Sequence, residues 1–561
     1  MKTRARVRHT IRRNVSSHLL DPLESRWLLS ASMTASVSNG LLSIQGNNSN
    51  TSVIIDQAAL GTTQFRVSSG DGTTKINGQT APLIFSGVNG IAITIGSGND
   101  TVVIQNATVV NNVQVTGAAG NQLITLNGVT LGGNFTLSNS GGQNSTTVEN
   151  SSINGNVTVN AGVGFNSGCG AFWSCNAFSS ANETFTLSAS TVGNNLNVSN
   201  VSGETTTDIE NSSIGNNVTV SNGAASYGNC SFNYGFFCGS KCGGATSELV
   251  GDLFTLNGST VGNNVAVSNA SDGNATSITN SSINGTLAVS NVVGTGNQCN
   301  FGACWSGNIA DASDAFALIG STVGSDVTLA NISDGATTDI ESSTLLGGLS
   351  VNNGVGSYGQ GFTSCGGQTS STFGDLLTLS QSTVINSVAI SNGSTYNSTD
   401  VESSAVLGAM AVNNGLNLVG QSSNNACGNN ACGQNSCGNS GGSNSCGNST
   451  KYVYTTDLFT LNGSVVGTNL AVTNASGYTN TAVENSTIVN NVTVIDALGV
   501  SYFEMDFSTI GSNLSFTAGA GTTTVNVTNS LIANNATINV SIGASVVISP
   551  SQVLAQLTVT V

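Results

Sequence analysis

The sequence predicts an all-β chain wound into a parallel β-helix, or solenoid, and three observations predict it. First, an apolar and mostly β-branched residue returns every 22 positions. It appears as Val109, Leu131 and Ile153; Val192 and Ile214; Val261 and Ile283; Val323 and Leu345; Val384 and Val406; and Val466, Ile488, Ile510 and Ile532. A fixed period of this size without helical spacing is the signature of a solenoid. Second, the residues around each anchor alternate. In Asn217-Val218-Thr219-Val220 the valines share one face and Thr219 takes the other. Ile209, Ile214, Val218 and Val220 form the inward set of that turn; Ile278, Ile283, Leu287 and Val289, or Val483, Ile488, Val492 and Val494, form it elsewhere. One turn cannot bury such a set alone, whereas stacked turns bury a continuous column. At about 4.8 Å per turn, about 15 turns make a rod of roughly 70 Å. Third, an asparagine precedes the inward pair in most turns: Asn112, Asn134, Asn156, Asn195, Asn217, Asn264, Asn469, Asn491, Asn513 and Asn535, with Asp326 once in its place. Asparagine accepts left-handed or turn geometry, and its amide can bond the amide one turn above. Parallel crossovers are right-handed, so a right-handed coil is expected.

Residues 1–32 read as a basic targeting segment. Seven of the eleven Lys and Arg residues lie in the first 26 positions, and both histidines, His9 and His18, lie there too. The segment lacks the long apolar run of an ordinary secretory signal. It continues as Asp21-Pro22-Leu23-Glu24-Ser25-Arg26-Trp27-Leu28-Leu29-Ser30-Ala31. This stretch resembles the L-E-P-R-x-L-L-S-A segment near the N-termini of planctomycetal surface and exported proteins. Ser25 stands where that family usually has proline. The resemblance covers about eleven residues; it implies export and a place at the cell surface or outside the cell, without implying a task.

Residues 33–106 have a different texture. Short alternating runs such as Leu41–Ile44, Val53–Ile55 and Phe65–Val67 are separated by Gly, Asn and Asp turns, as in a small β module capping the first edge of a solenoid. Its end, Gly96-Ser97-Gly98-Asn99-Asp100-Thr101-Val102, resembles one copy of the Gly/Asp nonapeptide of calcium-binding β-rolls. The resemblance makes Asp100 a calcium candidate, although a single copy lacks the neighbouring carboxylates that share the ion.

The solenoid is expected over residues 107–545, with a terminal strand or cap over 546–561. Its turns come in pairs. Spacing within a pair is 22; between pairs it grows by inserts of 17, 25, 18, 17 and 38 residues. These fall at about 161–182, 222–250, 291–312, 353–374 and 414–455, always after the second strand of a pair. All should therefore leave one corner on every second turn, about 10 Å apart, and inserts of this kind often mark a binding face.

All twelve cysteines lie in the inserts: Cys169 and Cys175; Cys230, Cys238 and Cys242; Cys299 and Cys304; Cys365; and Cys427, Cys432, Cys437 and Cys446. Glycine-rich loops need staples, and disulfides form in oxidising space, so these are disulfide candidates of undetermined connectivity. The rival is metal, but the last four cysteines have neither the C-x2-C spacing of common zinc sites nor a histidine. Aromatic residues join them, notably Trp173, Trp305, Phe236 and Phe237. These either fold each loop onto the rod as a private core or present a platform to a sugar or a partner.

Acidic residues also fall in columns. Glu149, Glu210, Glu341, Glu402 and Glu484 share one position, and Glu183, Asp252, Asp314, Asp375 and Asp457 precede the strand returning from each insert. Both columns read as solvated faces and turn-closing groups. Beyond residue 32 there are four cations against 25 carboxylates and no histidine. That excludes a basic footprint for nucleic acid and any histidine-dependent triad. No window of about 18 apolar residues offers a membrane span.

The expected function is that of an exported, non-catalytic solenoid without a resident cofactor, calcium apart, acting as a surface structural or adhesive protein. Its partner would be a cell-wall or surface polymer, or another surface protein. A carbohydrate-active β-helix enzyme and a calcium-dependent assembly module are the alternatives. Clustered carboxylates would be needed for the first, whereas the acidic residues here are spaced evenly along the rod.

Overall fold

The computed structural model describes residues 31–162, 182–200, 204–223, 251–271, 273–291, 314–331, 335–354, 374–394, 396–415, 456–497 and 499–561. All regular structure among them is β, and the strands stack in chain order as a parallel β-helix. A typical turn contributes three strands. In one turn they are Glu204–Glu210, Ser213–Ile214 and Val218–Asn222. In Asp100–Val109 and Gln122–Leu131 the first two run on as one. We refer to the three resulting faces as the back, short and front sheets.

Register follows the columns read from the sequence. In the front sheet Val113 pairs with Phe135, Phe135 with Val157, Val157 with Leu196, Leu196 with Val218, and Val218 with Val265. Each partner occupies the same position of its own turn, so the inserts displace nothing in the stack. All fifteen anchors are buried, none more than 1% exposed. The inward sets around Ile214, Ile283 and Ile488 are buried with them, whereas Thr219 is exposed.

The parallel stack extends beyond residues 107–545 in both directions. Leu41–Gly46 pairs in parallel with Gly90–Thr94, which pairs with Val113–Gly117. At the other end Leu557–Thr560 pairs with Ala536–Asn539. The antiparallel strand Ser32–Ser38 lies against Leu41–Gly46. Phe65–Ser69 likewise runs antiparallel to Ser52–Asp56, pinned by a bidentate pair in which Arg66 donates to Asp56 at 2.6 and 3.0 Å. Antiparallel strands cannot continue a parallel coil, so these pairings give the N-terminal module its distinct texture.

Polar columns hold the corners. The expected asparagine ladder exists: Asn112 Oδ1 accepts the Asn134 N–H at 2.8 Å, and Asn134 Oδ1 accepts those of Asn156 at 2.7 and 3.3 Å. Its backbone, however, is not left-handed. The left-handed positions form another column, between the back and short strands, that includes Asn106, Gly128, Asn150, Ala189, Asn211 and Gly258. At the next residue runs a buried serine ladder. The Ser212 N–H donates to Ser259 Oγ at 3.0 Å, and that of Ser259 to Ser281 Oγ at 3.2 Å; each hydroxyl donates back to a carbonyl of its own turn, as Ser212 does to Glu210 at 2.7 Å. A hydroxyl both accepts and donates, so one small side chain satisfies two buried backbone groups at a bend.

One residue breaks the corner chemistry. Phe507 has φ +48° and is 64% exposed, whereas its neighbours in the column are Asn485 and Asn529. A bulky residue in left-handed backbone is strained by roughly 1–2 kcal/mol. Phe507→Asn is therefore expected to raise stability by about 1 kcal/mol, seen as a higher urea midpoint. A lower midpoint would mean that the ring contributes more than its backbone costs.

Candidate functional site at the insert corner

The inserts leave and re-enter at one corner, which the flanking residues define. The front strands from Leu196–Asn200 to Leu470–Asn474 each end on an inward asparagine, and these residues form a second, buried ladder. Asn200 Nδ2 donates to Asn222 Oδ1 at 3.0 Å, Asn222 to Asn269 at 2.9 Å, Asn269 to Asn291 at 2.9 Å, and Asn291 to Asn331 at 2.8 Å. The ladder continues through Asn353, Asn392, Asn414 and Asn474 and ends on Asp496. Sequence reasoning missed it, although the signal was present: the valine alternation of V-x-V-x-N places this asparagine on the inner side.

The acidic residues that follow each insert face it across the corner. They are buried and not solvated, contrary to expectation: Glu183, Asp252, Asp314, Asp375 and Asp457 are each at most 3% exposed. Each clamps the turn before it. Asp252 Oδ1 accepts from the Thr205 hydroxyl at 2.7 Å and the Thr205 N–H at 3.2 Å, while its Oδ2 accepts from Ser271 Oγ at 2.8 Å. Asp314 accepts from the Asn274 N–H and side chain, Asp375 from the Ala336 N–H, and Asp457 from Asn397 Nδ2. Glu183 accepts from Asn144 Nδ2 at 2.9 Å. Burial pushes Asp252 and Asp457 up from the ordinary carboxylate range, and pushes Glu183 up to about 8. By contrast Glu149, Glu210, Glu341 and Glu484 are half-buried and Glu402 is exposed, as a solvated face requires.

The carboxylate recurs on every second turn because the turns differ inside. Two positions after the acid the core holds Phe185, Phe254, Phe316, Leu377 and Phe459; the alternate turns hold Thr207, Thr276, Thr338, Thr399 and Thr481 there. Large side chains thus stack between small ones, which fills the column without strain. Some of the threonines also reach the inner ladder, as Thr399 Oγ1 does by accepting from Asn392 Nδ2 at 3.4 Å. The motif D/E-x-F/L-x-L therefore marks the point at which the chain rejoins the rod after each insert.

Outside the corner lies a partly apolar strip. Leu376, Tyr396 and Leu458 line a shallow groove of about 180 Å³ with Ser398 and Thr456, and the Tyr478 and Tyr502 rings meet at 5.6 Å. Asp100 occupies the same column as the clamps. It is buried, with Oδ1 accepting from the Thr51 N–H at 2.7 Å and hydroxyl at 2.6 Å, and burial raises its pKa. Gly96 is required by packing: a Cβ there would lie 1.9 Å from the Asn47 carbonyl oxygen. Among the described residues no group of three His, Cys, Asp or Glu side chains converges to hold a metal ion. The twelve cysteines and Trp173, Trp305, Phe236 and Phe237 lie outside the described residues, as does the segment Asp21–Ser30.

No family model matches this chain, and comparisons with curated proteins and with solved structures find no match either.

Proposed function

We propose that the chain is an exported, non-catalytic β-solenoid that works at the cell surface as a structural or adhesive protein. The observation that carries this reading is the insert corner. Five inserts enter and leave a continuous rod on every second turn; a buried carboxylate follows each of them, and the last four follow strands that end on the buried asparagine ladder. Such a rod is a rigid carrier, and the cysteine- and aromatic-bearing inserts are the parts free to differ from turn to turn. A cell-wall polymer or another surface protein is the partner this layout suits.

The test uses full-length protein made in an oxidising compartment. Few free thiols are expected before reduction. Reduction should leave the β-sheet circular dichroism nearly unchanged while opening protease sites within residues 161–182, 222–250 and 414–455, and it should abolish attachment to cell-wall material. Twelve free thiols in the native protein would remove the disulfide premise and the exported compartment with it. Collapse of the rod on reduction would mean that the cysteines hold the fold itself.

A further inference from the structure

We propose that the front sheet is a self-association surface through which two copies of this chain pack side by side about a two-fold axis. This inference does not depend on where the protein resides. From Val113–Gly117 to Ala536–Asn539, every outward residue of the front sheet is Ser, Thr, Ala, Asn, Gln or Ile. None is charged, in a chain of net charge −16. The back sheet carries Asp208, Glu210, Asp339, Glu341, Asp400 and Glu402 at outward positions. Two such molecules repel one another on that side and approach without like-charge repulsion on the front. The short sheet, with Thr260, Ser282 and Thr322 outward, is uncharged too, but its strands are only two residues wide. The nearest carboxylate on the front rim, Asp326, is held in the corner ladder by the Gly348 N–H at 2.8 Å.

The front face is also shaped to receive its own kind. Ala389, Ala411 and Ala471 line a shallow groove of about 300 Å³, flanked by Ser350, Ser391 and Asn413. Over three turns the corner that opens the same strands carries an aliphatic ridge: Leu346, Ile385 and Leu407 are 50%, 38% and 49% exposed, and Gly324 and Gly467 take the position in the turns on either side. Ridge and groove therefore step along the rod with one spacing, about 4.8 Å. A two-fold axis parallel to the rod, lying between ridge and groove, places the ridge of each copy against the groove of the other, as an isologous interface requires. A face roughly 70 Å long and about 15 Å wide offers about 1,000 Å² per copy, above the ~800 Å² of a standard interface. Among the described residues no aromatic side chain stands on it to stack against a sugar ring, so a neutral polymer fits this face less well than a second copy does.

The test is sedimentation equilibrium of the purified full-length chain. A dimer is expected, and added sodium chloride should tighten it by screening repulsion between the acidic remainders. Ala411→Asp and Ala389→Asp put uncompensated charges into the contact. Each should weaken the dimer at least tenfold with an unchanged melting temperature, while Thr125→Asp on the back sheet should leave it intact. Four outcomes would overturn the proposal. They are a wild-type monomer at about 100 μM, dimers unaffected by both alanine variants, association abolished by a chelator, and a monomer whose binding to a neutral polysaccharide is lost in Ala411→Asp.

Discussion

Val218→Asp should destabilise the rod by several kcal/mol, whereas Thr219→Asp, one residue further along the same strand, should change stability by no more than about 0.5 kcal/mol. Val218 has no exposed surface and is stacked between Leu196 and Val265. A carboxylate there meets only hydrocarbon, so it must ionise at great cost or stay protonated and leave its oxygens unsatisfied. Thr219 is exposed, and its partners in the adjacent turns are Asn197 and Ala266, neither of them charged. A stack is held chiefly by nearest-neighbour contacts, so the damage should centre on the turns around residue 218. Urea unfolding followed by circular dichroism, with limited proteolysis to locate the opening, measures both variants. Equal midpoints would mean that the inward and outward faces have been exchanged.

The second large effect is a dependence on pH centred on Glu183. Burial raises its folded pKa to about 8, from an ordinary value of 4.5. Below the unfolded pKa the group is protonated in both states and exacts no penalty. Above the folded pKa it is ionised in both, and the buried charge carries its full cost. Stability is therefore expected to fall as pH rises from about 4.5 to about 8, by roughly 3–5 kcal/mol at this residue. The raised pKa values of Asp252, Asp457 and Asp496 push in the same direction. Glu183→Gln keeps an acceptor for Asn144 Nδ2 and removes the charge. The variant should exceed the wild type in stability at pH 8 and approach it at pH 4.5. Parallel stability–pH curves for the two proteins would show that Glu183 does not carry the effect.

The parts of the fold that were legible in the sequence are those that each turn must satisfy alone. A residue such as Ile214 or Val218 is buried whatever stands in the next turn, so a single position writes its own requirement into the 22-residue pattern. The outer asparagine ladder was visible for the same reason. Its backbone geometry was misplaced because several residue types serve a left-handed corner. Asn106, Gly128, Ala189 and Gln381 all do so, and no one letter marks the column. The candidate site was half legible. The paired turns, the common insert corner and the carboxylate after each insert could be counted along the chain, but the burial of those carboxylates could not. An aspartate reads as a solvated residue until Thr205 or Asn274, in the turn before it, is found to satisfy it.

The sequence by itself thus determined the β class, the repeat, the inward faces and the corner at which the inserts meet, because these follow from alternation and spacing within the chain. Only the tertiary structure decided which polar residues lie inside. It showed that Asn222, Ser212 and Asp252 are buried rungs of separate ladders, and that the front sheet is uncharged along the rod while the back sheet carries the acids. Those properties belong to contacts between turns 22 to 60 residues apart. A hydrogen bond across such a distance has no signature in either partner alone. It exists once the stack brings the two within reach and excludes the water that would otherwise satisfy them.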